Sequence, residues 1–486
     1  MASGPLFAGW SNELSSSRRS GGLASPGGRG PGGSSPGGSG GRWRAGGAVN
    51  DLAVGDVAVV EPAGGRSLRG RLRVPGDKSI SHRALLVAAW ASGTSRLAGL
   101  NRGADVSHTL DAVVALGARV RPRGTELLVE GTHGHLREPE AVIEVGNSGT
   151  GIRLLAGLVA TIDGLCVLQG DGSVARRPMD RVAAPLRLMG ARIDGRRGGC
   201  YPPLVVRGGG LTGIDYTLPV ASAQVKSAIL FAGLGAEGRT RVHEVVPVRA
   251  HTEEMLAEAG AGIEVRPEGA GSSVTLQPGP LHAISLRVPA DPSQAAFWAV
   301  AACIVPGSDL VLEDVYVGQA RSGFIDVLKR MGARLEVVGR DPERLTADLR
   351  VQAGPLVGTS VGGAEVPGLI DEVPVLAVAA ALADGTTRFS GAAELRLKES
   401  DRLATTVEML RALGAKAEAQ PDGLVVEGSA GAPLDQGIVG SHGDHRIAMA
   451  AAVGALAAKG PVHVQGWSST ATSYPSFEED LRRCLK

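Results

Sequence analysis

Aromatic residues are scarce in this 486-residue chain: Phe, Trp and Tyr make up 3% of it, against 43% hydrophobic residues in total. A core must therefore be filled by Ala, Val and Leu, and the 72 glycines are an excess that calls for a structural reason. Cysteine is equally sparse. Cys166, Cys200, Cys303 and Cys484 have no CxxC spacing, so neither a disulfide framework nor a zinc cluster is indicated, and a reducing compartment fits best. No apolar run approaches the roughly 20 residues that span a bilayer. The longest, around Ala84–Ala91 and Pro374–Ala383, read as buried helices. Neither sign of charge dominates: 50 Lys and Arg against 49 Asp and Glu leave +1, which removes the simple argument for a nucleic-acid partner. Also missing are GxxxxGK[ST], a clean GxGxxG and HExxH, the signatures of nucleotide hydrolysis, dinucleotide oxidation and a zinc site. No cysteine lies in a cation-rich helix start, which disfavours a thiolate nucleophile.

What remains is long enough for two or three domains with real cores. The first 50 residues stand apart, with 15 glycines, 10 serines, five arginines and the single acid Glu13. They predict a disordered Gly/Ser/Arg-rich tail over 1–55, read as a linker, with a transit peptide and an RNA-binding arm as lesser readings. Without a hydrophobic h-region, secretion is disfavoured. Net charge divides accordingly, +4 in the first 50 residues and −3 in the rest.

Past the tail, a glycine recurs in LGARV (Gly117), MGARI (Gly190), AGAGIEV (Gly260), MGARLEV (Gly332) and LGAKAEA (Gly414), spaced by 73, 70, 72 and 82 residues. An amphipathic run precedes each and a short alternating run follows, the pattern of a helix ended by a C′ glycine and then a strand. A second series, Ser79, Ser148, Ser222, Ser293, Asp371 and Arg446, opens Ala/Leu/Val-rich buried helices at spacings of 69, 74, 71, 78 and 75. Six units of about 72 residues fill residues 56–486, the sixth stopping in its second helix at SFEEDLRRCLK. The segment RVPGDKS at Arg73 returns 214 residues later as RVPADPS at Arg287. This predicts an α/β protein of two three-unit domains, one discontinuous (56–75 plus 289–486) and one continuous (76–288), hinged at the two segments. An ordinary solenoid is the rival arrangement.

Helix N-termini present unpaired N–H groups and a positive dipole end, and cations gather at these starts. Lys78 and Arg83, Arg153, Lys226 and Arg446 mark the buried helices, and Arg177, Arg249, Lys398 and Arg402 the second series. One such Arg is ordinarily a solvated surface residue, but recurrence at equivalent positions directs several into one cleft suited to phosphate and carboxylate groups. GNSGTG (Gly146–Gly151) lets backbone amides approach a ligand, with Asn147 and Thr150 beside them, and Ser222-Ala223-Gln224 offers hydroxyl and amide within one turn. The fifth unit departs from the cationic rule, with Asp371-Glu372 and Lys398-Glu399-Ser400-Asp401-Arg402. Asp371 among cations keeps its charge and suits a base, and Glu399 suits an acid if burial raises its pKa. A helix N-cap and a surface ion-pair cluster are the alternatives. His82, His251 and His445 also lie near helix starts, without metal-ligand spacing.

PGDKSISHRA, GNSGTGIRL, RRPM, ASAQVKSA, RAHTEEM, IDEVPVLAVAAA, LRLKESDRL, GDHRIAMA and TSYPSF follow one another along the body. In this order they resemble the 5-enolpyruvylshikimate-3-phosphate (EPSP) synthase family, over nearly the whole chain after the tail. The resemblance implies a two-domain inverse α/β barrel fold of six βαβαββ-type repeats, three per domain. It also implies transfer of the enolpyruvyl group of phosphoenolpyruvate to the 5-hydroxyl of shikimate 3-phosphate through a tetrahedral intermediate, releasing phosphate. Carried over by motif, Lys78 looks like the lysine contacting both substrates. Ser79, Arg83, Ser222, Ala223, Gln224, Arg249, Asp371 and Lys398 look like the shikimate 3-phosphate side. Asn147, Gly149, Arg177, Gln224, Arg402 and Arg446 look like the phosphoenolpyruvate side. Asp371 is similar to the proposed base and Glu399 to the acid that protonates the methylene carbon. No cofactor or metal is implied, and the expected protein is a cytoplasmic monomer with neither nucleic-acid nor membrane partners.

The chain departs from the family pattern at several positions. Ala223 replaces a serine found in many members, and SAQVK with RAHTE resembles the subgroup less sensitive to glyphosate, while Gly149 stands where some tolerant members have alanine. Thr472 stands where many members have a lysine. The rival readings are a UDP-amino-sugar enolpyruvyl transferase, which Lys78-Ser79 argues against, an RNA end-processing enzyme on a related repeat fold, and a non-catalytic repeat scaffold, which would not need Asp371, Lys398 and Glu399 together.

Overall fold

Twelve α-helices of eight residues or more alternate between inner and outer positions in the computed structural model, which describes residues 56–318 and 321–486. The expected tail at 1–55 lies outside the described residues. Numbered in chain order, the inner helices are α1 (Lys78–Trp90), α3 (Gly149–Val159), α5 (Ala223–Gly233), α7 (Pro292–Ile304), α9 (Val373–Leu382) and α11 (His445–Ala455). The outer ones are α2 (Ala104–Ala115), α4 (Asp180–Leu188), α6 (His251–Glu258), α8 (Gly323–Arg330), α10 (Arg402–Ala412) and α12 (Phe477–Cys484).

Sequence pattern separates the two sets. Every residue of α9 and of α11 is buried, so neither has a polar face to offer water. In α8 only Phe324, Ile325, Val327 and Leu328 are buried, one stripe of an amphipathic helix. α7, α9 and α11 pack on one another, as do α3 and α5. Small side chains permit this close packing: a Cβ placed on Gly157 of α3 would sit 2.1 Å from the carbonyl oxygen of Ala228 in α5. The few aromatics gather elsewhere, where Tyr474 and Trp298 lie 5.4 and 5.5 Å from the ring of Phe477 and seat the C-terminal helix. Gly117, Gly190, Gly260, Gly332 and Gly414 follow their helices with φ between +77° and +111°, the backbone state in which a residue with a Cβ is strained.

The second, third and fifth repeats each make their own sheet. In the second, Ile143–Glu144 runs parallel to Leu165–Gln169 across α3, and the hairpin strands Arg192–Gly195 and Tyr201–Arg207 then add antiparallel. The third and fifth repeats have the same order. The sixth is shorter: Gly437–Gly440 and Val462–Gln465 are completed by the first strand of the body, Val57–Val60, in place of a hairpin. Among the described residues the six sheets stay separate and do not close into a hydrogen-bonded barrel, because the repeats meet through their inner helices.

The first and fourth repeats exchange their opening strands. Arg69–Leu72 leads into α1 but pairs with Asp309–Tyr316, and Ser285–Arg287 leads into α7 but pairs with Thr94–Ala98. The sheets thereby fall into two groups, one built from strands between 57 and 72 and between 309 and 465, the other from strands between 94 and 287. The chain passes between them twice, at the two segments with repeated sequence. There the crossings run side by side, Asp77 N donating to Pro289 O at 2.8 Å and Asp291 N to Pro75 O at 2.9 Å.

Candidate active site

Inner helices from both groups point their N-termini at one cleft. Asp77, Ser148, Ser222 and Asp444 cap α1, α3, α5 and α11, each side-chain oxygen accepting from a backbone N–H of the first turn. Because the caps hold the helix starts, the residues just after them, Lys78, Gly149, Ala223 and His445, face the cleft. Nine cations line it against five carboxylates, so a near-neutral chain presents a cationic site.

Asp371 lies at the centre, in the turn before α9. Its Oδ1 is 3.3 Å from Lys398 Nζ and 3.2 Å from Arg402 Nη1, and its Oδ2 is 2.8 Å from Arg249 Nη2, which belongs to the other sheet group. Arg446 donates to the Asp371 carbonyl at 3.0 Å. Burial by itself would raise the carboxyl, but Lys398, Arg446, Arg249 and Arg402 outweigh it and hold Asp371 well below the usual carboxylate range.

Glu399, just ahead of α10, shares Arg402 with Asp371, its Oε2 lying 2.5 Å from Nη2, and its Oε1 is 3.6 Å from Arg177 Nη1 across the cleft. Glu399 suits an acid if burial raises its pKa, a condition that its neighbours oppose. Burial does push it up, but Arg402, Arg177 and Lys78 outweigh it and hold Glu399 well below the usual carboxylate range. Burial pulls the Lys398 ammonium below its ordinary value, partly offset by Asp371. His445 is held well below its usual value by burial, Lys78 and Arg446, and faces the cleft neutral.

The remaining residues singled out from sequence are distributed as follows. Lys78 reaches Asp105 Oδ2 at 2.8 Å, and Ser79, Ser222, Ala223 and Gln224 also line the cleft. Gln224 is held on both sides, accepting from Arg153 at 2.7 Å and donating to Thr150 at 2.8 Å. Asn147 stands behind the lining, accepting from Arg177 at 2.9 Å and donating to Asp171 at 2.7 Å. Gly149 must lack a side chain where Arg177 lies, since a Cβ there would be 2.4 Å from Arg177 Nη1.

Two cations expected in the cleft are turned away from it. Lys226, one turn inside α5, is fully buried between Glu244, at 2.6 Å, and Glu253. Arg83, one turn inside α1, donates to Thr252, to Ser227 and to the Ser79 carbonyl at 2.8, 2.8 and 3.0 Å, tying three helices together behind the site. Thr472 bonds within its own turn, to Ser469 O at 2.8 Å, and does not line the cleft.

Arg181, Glu394, Asp105 and Arg321 are among the lining residues to which the sequence assigns no role. Arg181 of α4 makes a two-pronged contact with Glu394 of the other sheet group at 2.8 and 3.2 Å. Adjacency to RRPM and to LRLKES was the available signal for that pair. Asp105, which pairs with Lys78, and Arg321 carry no motif of their own.

The matching family model, EPSP synthase (3-phosphoshikimate 1-carboxyvinyltransferase), covers residues 62–481. The chain is 47% identical to a 3-phosphoshikimate 1-carboxyvinyltransferase of Geobacillus kaustophilus, over 87% of this chain and 99% of the relative. It is 49% identical to one of Alkalilimnicola ehrlichii, over 86% and 94%. EPSP synthase of Acinetobacter baumannii has a similar structure, with a TM-score of 0.77, 41% identity and coverage of 88% of this chain and 98% of that one. The enolpyruvyl transferase NikO of Streptomyces tendae, 19% identical with a TM-score of 0.69, shares the fold. Among the described residues no helix is long and apolar enough to cross a membrane.

Proposed function

The chain belongs to the EPSP synthase family and transfers the enolpyruvyl group of phosphoenolpyruvate to the 5-hydroxyl of shikimate 3-phosphate, releasing phosphate, and from this premise we propose how its cleft performs the transfer. The observation that carries the reading is the sharing of Arg402 by Asp371 and Glu399, between cations drawn from both sheet groups. Neither the UDP-amino-sugar reading nor the scaffold reading is favoured against relatives of 47–49% identity over most of the chain.

Lys78, Ser79, Ser222, Ala223, Gln224, Arg249, Asp371 and Lys398 are assigned to shikimate 3-phosphate, with Arg83 supporting them from behind through Ser79, Ser227 and Thr252. Lys78, Asn147, Gly149, Arg177, Gln224, Arg402 and Arg446 are assigned to phosphoenolpyruvate. Asp371, the base, takes the proton of the attacking 5-hydroxyl. Its ionised state requires no activation, because the surrounding cations already secure it. Glu399, the acid, must gain a proton before it can deliver one to the methylene carbon. An anionic substrate on Arg177 and Arg402 withdraws the charges that keep Glu399 ionised, and burial then raises it. Protonation makes the neighbouring carbon electrophilic, the hydroxyl adds, and the tetrahedral adduct loses phosphate as a methyl proton returns to the Glu399 carboxylate. The cations stabilise the departing phosphate, and the reading requires no cofactor.

Residues 56–75 with 289–486 form one lobe and 76–288 the other. The two groups of sheets and the paired crossings support this division. Approach of the lobes brings Arg177 to Glu399 and Arg249 to Asp371 and excludes water. The protein acts as a cytoplasmic monomer.

Phosphate release with both substrates present, and with each omitted in turn, tests the reading. Release is expected only with both. Release without shikimate 3-phosphate, or none from folded protein, counts against it. Gly149→Ala pushes on Arg177 and is expected to raise KM for phosphoenolpyruvate about tenfold, the worth of one charge-assisted hydrogen bond. KM for shikimate 3-phosphate should stay within about twofold. Equal changes in both would show that Arg177 does not discriminate between the substrates.

A further inference from the structure

Arg321, for which the assigned roles have no use, lies just ahead of α8 and is 2% exposed. Its Nη2 donates to Asp77 Oδ2 at 2.5 Å and to Asp291 Oδ1 at 2.8 Å, and its Nη1 donates to Ser293 Oγ at 2.9 Å. The Ser293 hydroxyl in turn donates to Glu372 Oε1. All four partners hold positions that set the site. Asp77 and Asp291 end the two crossings and cap α1 and α7, accepting from Ile80 N and Ser293 N, both at 2.8 Å. The second oxygen of Asp291 accepts from the backbone N–H of Lys78 at 3.0 Å, so the second crossing is fastened to the start of the helix that follows the first. Glu372 is the neighbour of Asp371, and Arg446 lies 4.0 Å from the carboxylates of both.

A continuous path of buried contacts thus runs from the backbone of Lys78, through Asp291, Arg321, Ser293 and Glu372, to Asp371. A guanidinium suits this place because its planar fork reaches three acceptors at once, which an ammonium on a flexible stem does not. Burial would favour loss of its proton, but Asp77, Asp291 and Glu372 raise its pKa and keep it charged.

We propose that Arg321 is a positioning residue for the transfer: it clasps both crossings to the Glu372–Asp371 step, so that Lys78 of one lobe and Asp371 of the other are held at a fixed separation when the lobes meet. The inference rests on the reading above only in taking turnover as its readout.

Arg321→Lys keeps the charge and loses the fork. It is expected to lower kcat about tenfold or more while KM for each substrate stays within about threefold, since displacement of reacting groups is felt in kcat. Ser293→Ala breaks the same path without removing a charge. It should lower kcat in the same way, and the double variant should be no worse than the poorer single one. Thermal unfolding of each variant separates this pattern from loss of folded protein. Wild-type kcat in Arg321→Lys, a fall in kcat that matches the unfolded fraction, or additive losses in the double variant overturns the proposal. An inactive wild-type chain would instead overturn the assigned reaction.

Discussion

Asp371→Asn and Glu399→Gln should each lower kcat by about 10²–10⁴, the range that a positioned acid or base contributes. Both replacements keep the size of the side chain and remove its proton chemistry. KM should move much less. Four cations, Lys398, Arg446, Arg249 and Arg402, face Asp371, and removing its charge leaves them more attractive to an anionic substrate. At Glu399 the replacement also removes a negative charge beside the place assigned to phosphoenolpyruvate, so affinity for that substrate should hold or improve. Steady-state kinetics with each substrate varied in turn would check this. Turnover within twofold of wild type in either variant would remove that residue from its role, and a rise in KM without loss of kcat would make it a binding residue only.

Arg402→Met is expected to destabilise the substrate-free protein by about 3–5 kcal/mol at pH 7, the usual result of deleting one partner of a buried ion pair. Arg402 is 1% exposed and faces three carboxylates, Asp371, Glu399 and Asp444, at 3.2, 2.5 and 2.8 Å. In the wild type, burial opposes ionisation of Asp371 and Glu399, but the cations hold both well below their unfolded values. Their contribution is therefore present above the unfolded carboxylate pKa, about 4, and is lost as pH falls through the folded values. In the variant Glu399 loses the strongest of the charges that offset its burial, and the penalty is greatest where the carboxylates must stay charged. Wild type and variant should differ most near pH 7, and the difference should narrow as pH falls toward about 4 and close below it. Urea unfolding at the two pH values measures the difference. Equal midpoints at pH 7 would show that Arg402 is not what keeps these acids buried.

The repeat architecture was readable because its marks are local. Gly117, Gly190, Gly260, Gly332 and Gly414 all have positive φ, and a backbone that needs such a conformation selects glycine whatever surrounds it. The all-apolar stretch at α9 needs burial on every side, which any partner of the right shape supplies. The helix-start argument located Lys78, Ser222, Gln224 and Arg446 at the cleft for the same reason, since capped N-termini expose their first turn. It went wrong at Lys226, which lies a turn further in, where side-chain direction depends on what packs against the helix. Glu244 and Glu253, contributed by another strand and helix, drew that ammonium into the core.

Motif and periodicity by themselves determined six α/β repeats, their glycine caps, the two crossings and most of the cationic lining, because those properties depend on neighbours within a few turns of chain. Tertiary structure alone decided that Arg69–Leu72 and Ser285–Arg287 exchange sheets, that Val57–Val60 completes the last repeat, that Arg321 joins the crossings, and that Arg177 and Lys78 help to keep Glu399 charged. Near-identical crossing sequences cannot distinguish their partners. Nor can the pKa of Glu399 be read from its own segment when burial and the distant Arg177 and Lys78 help to set it through space.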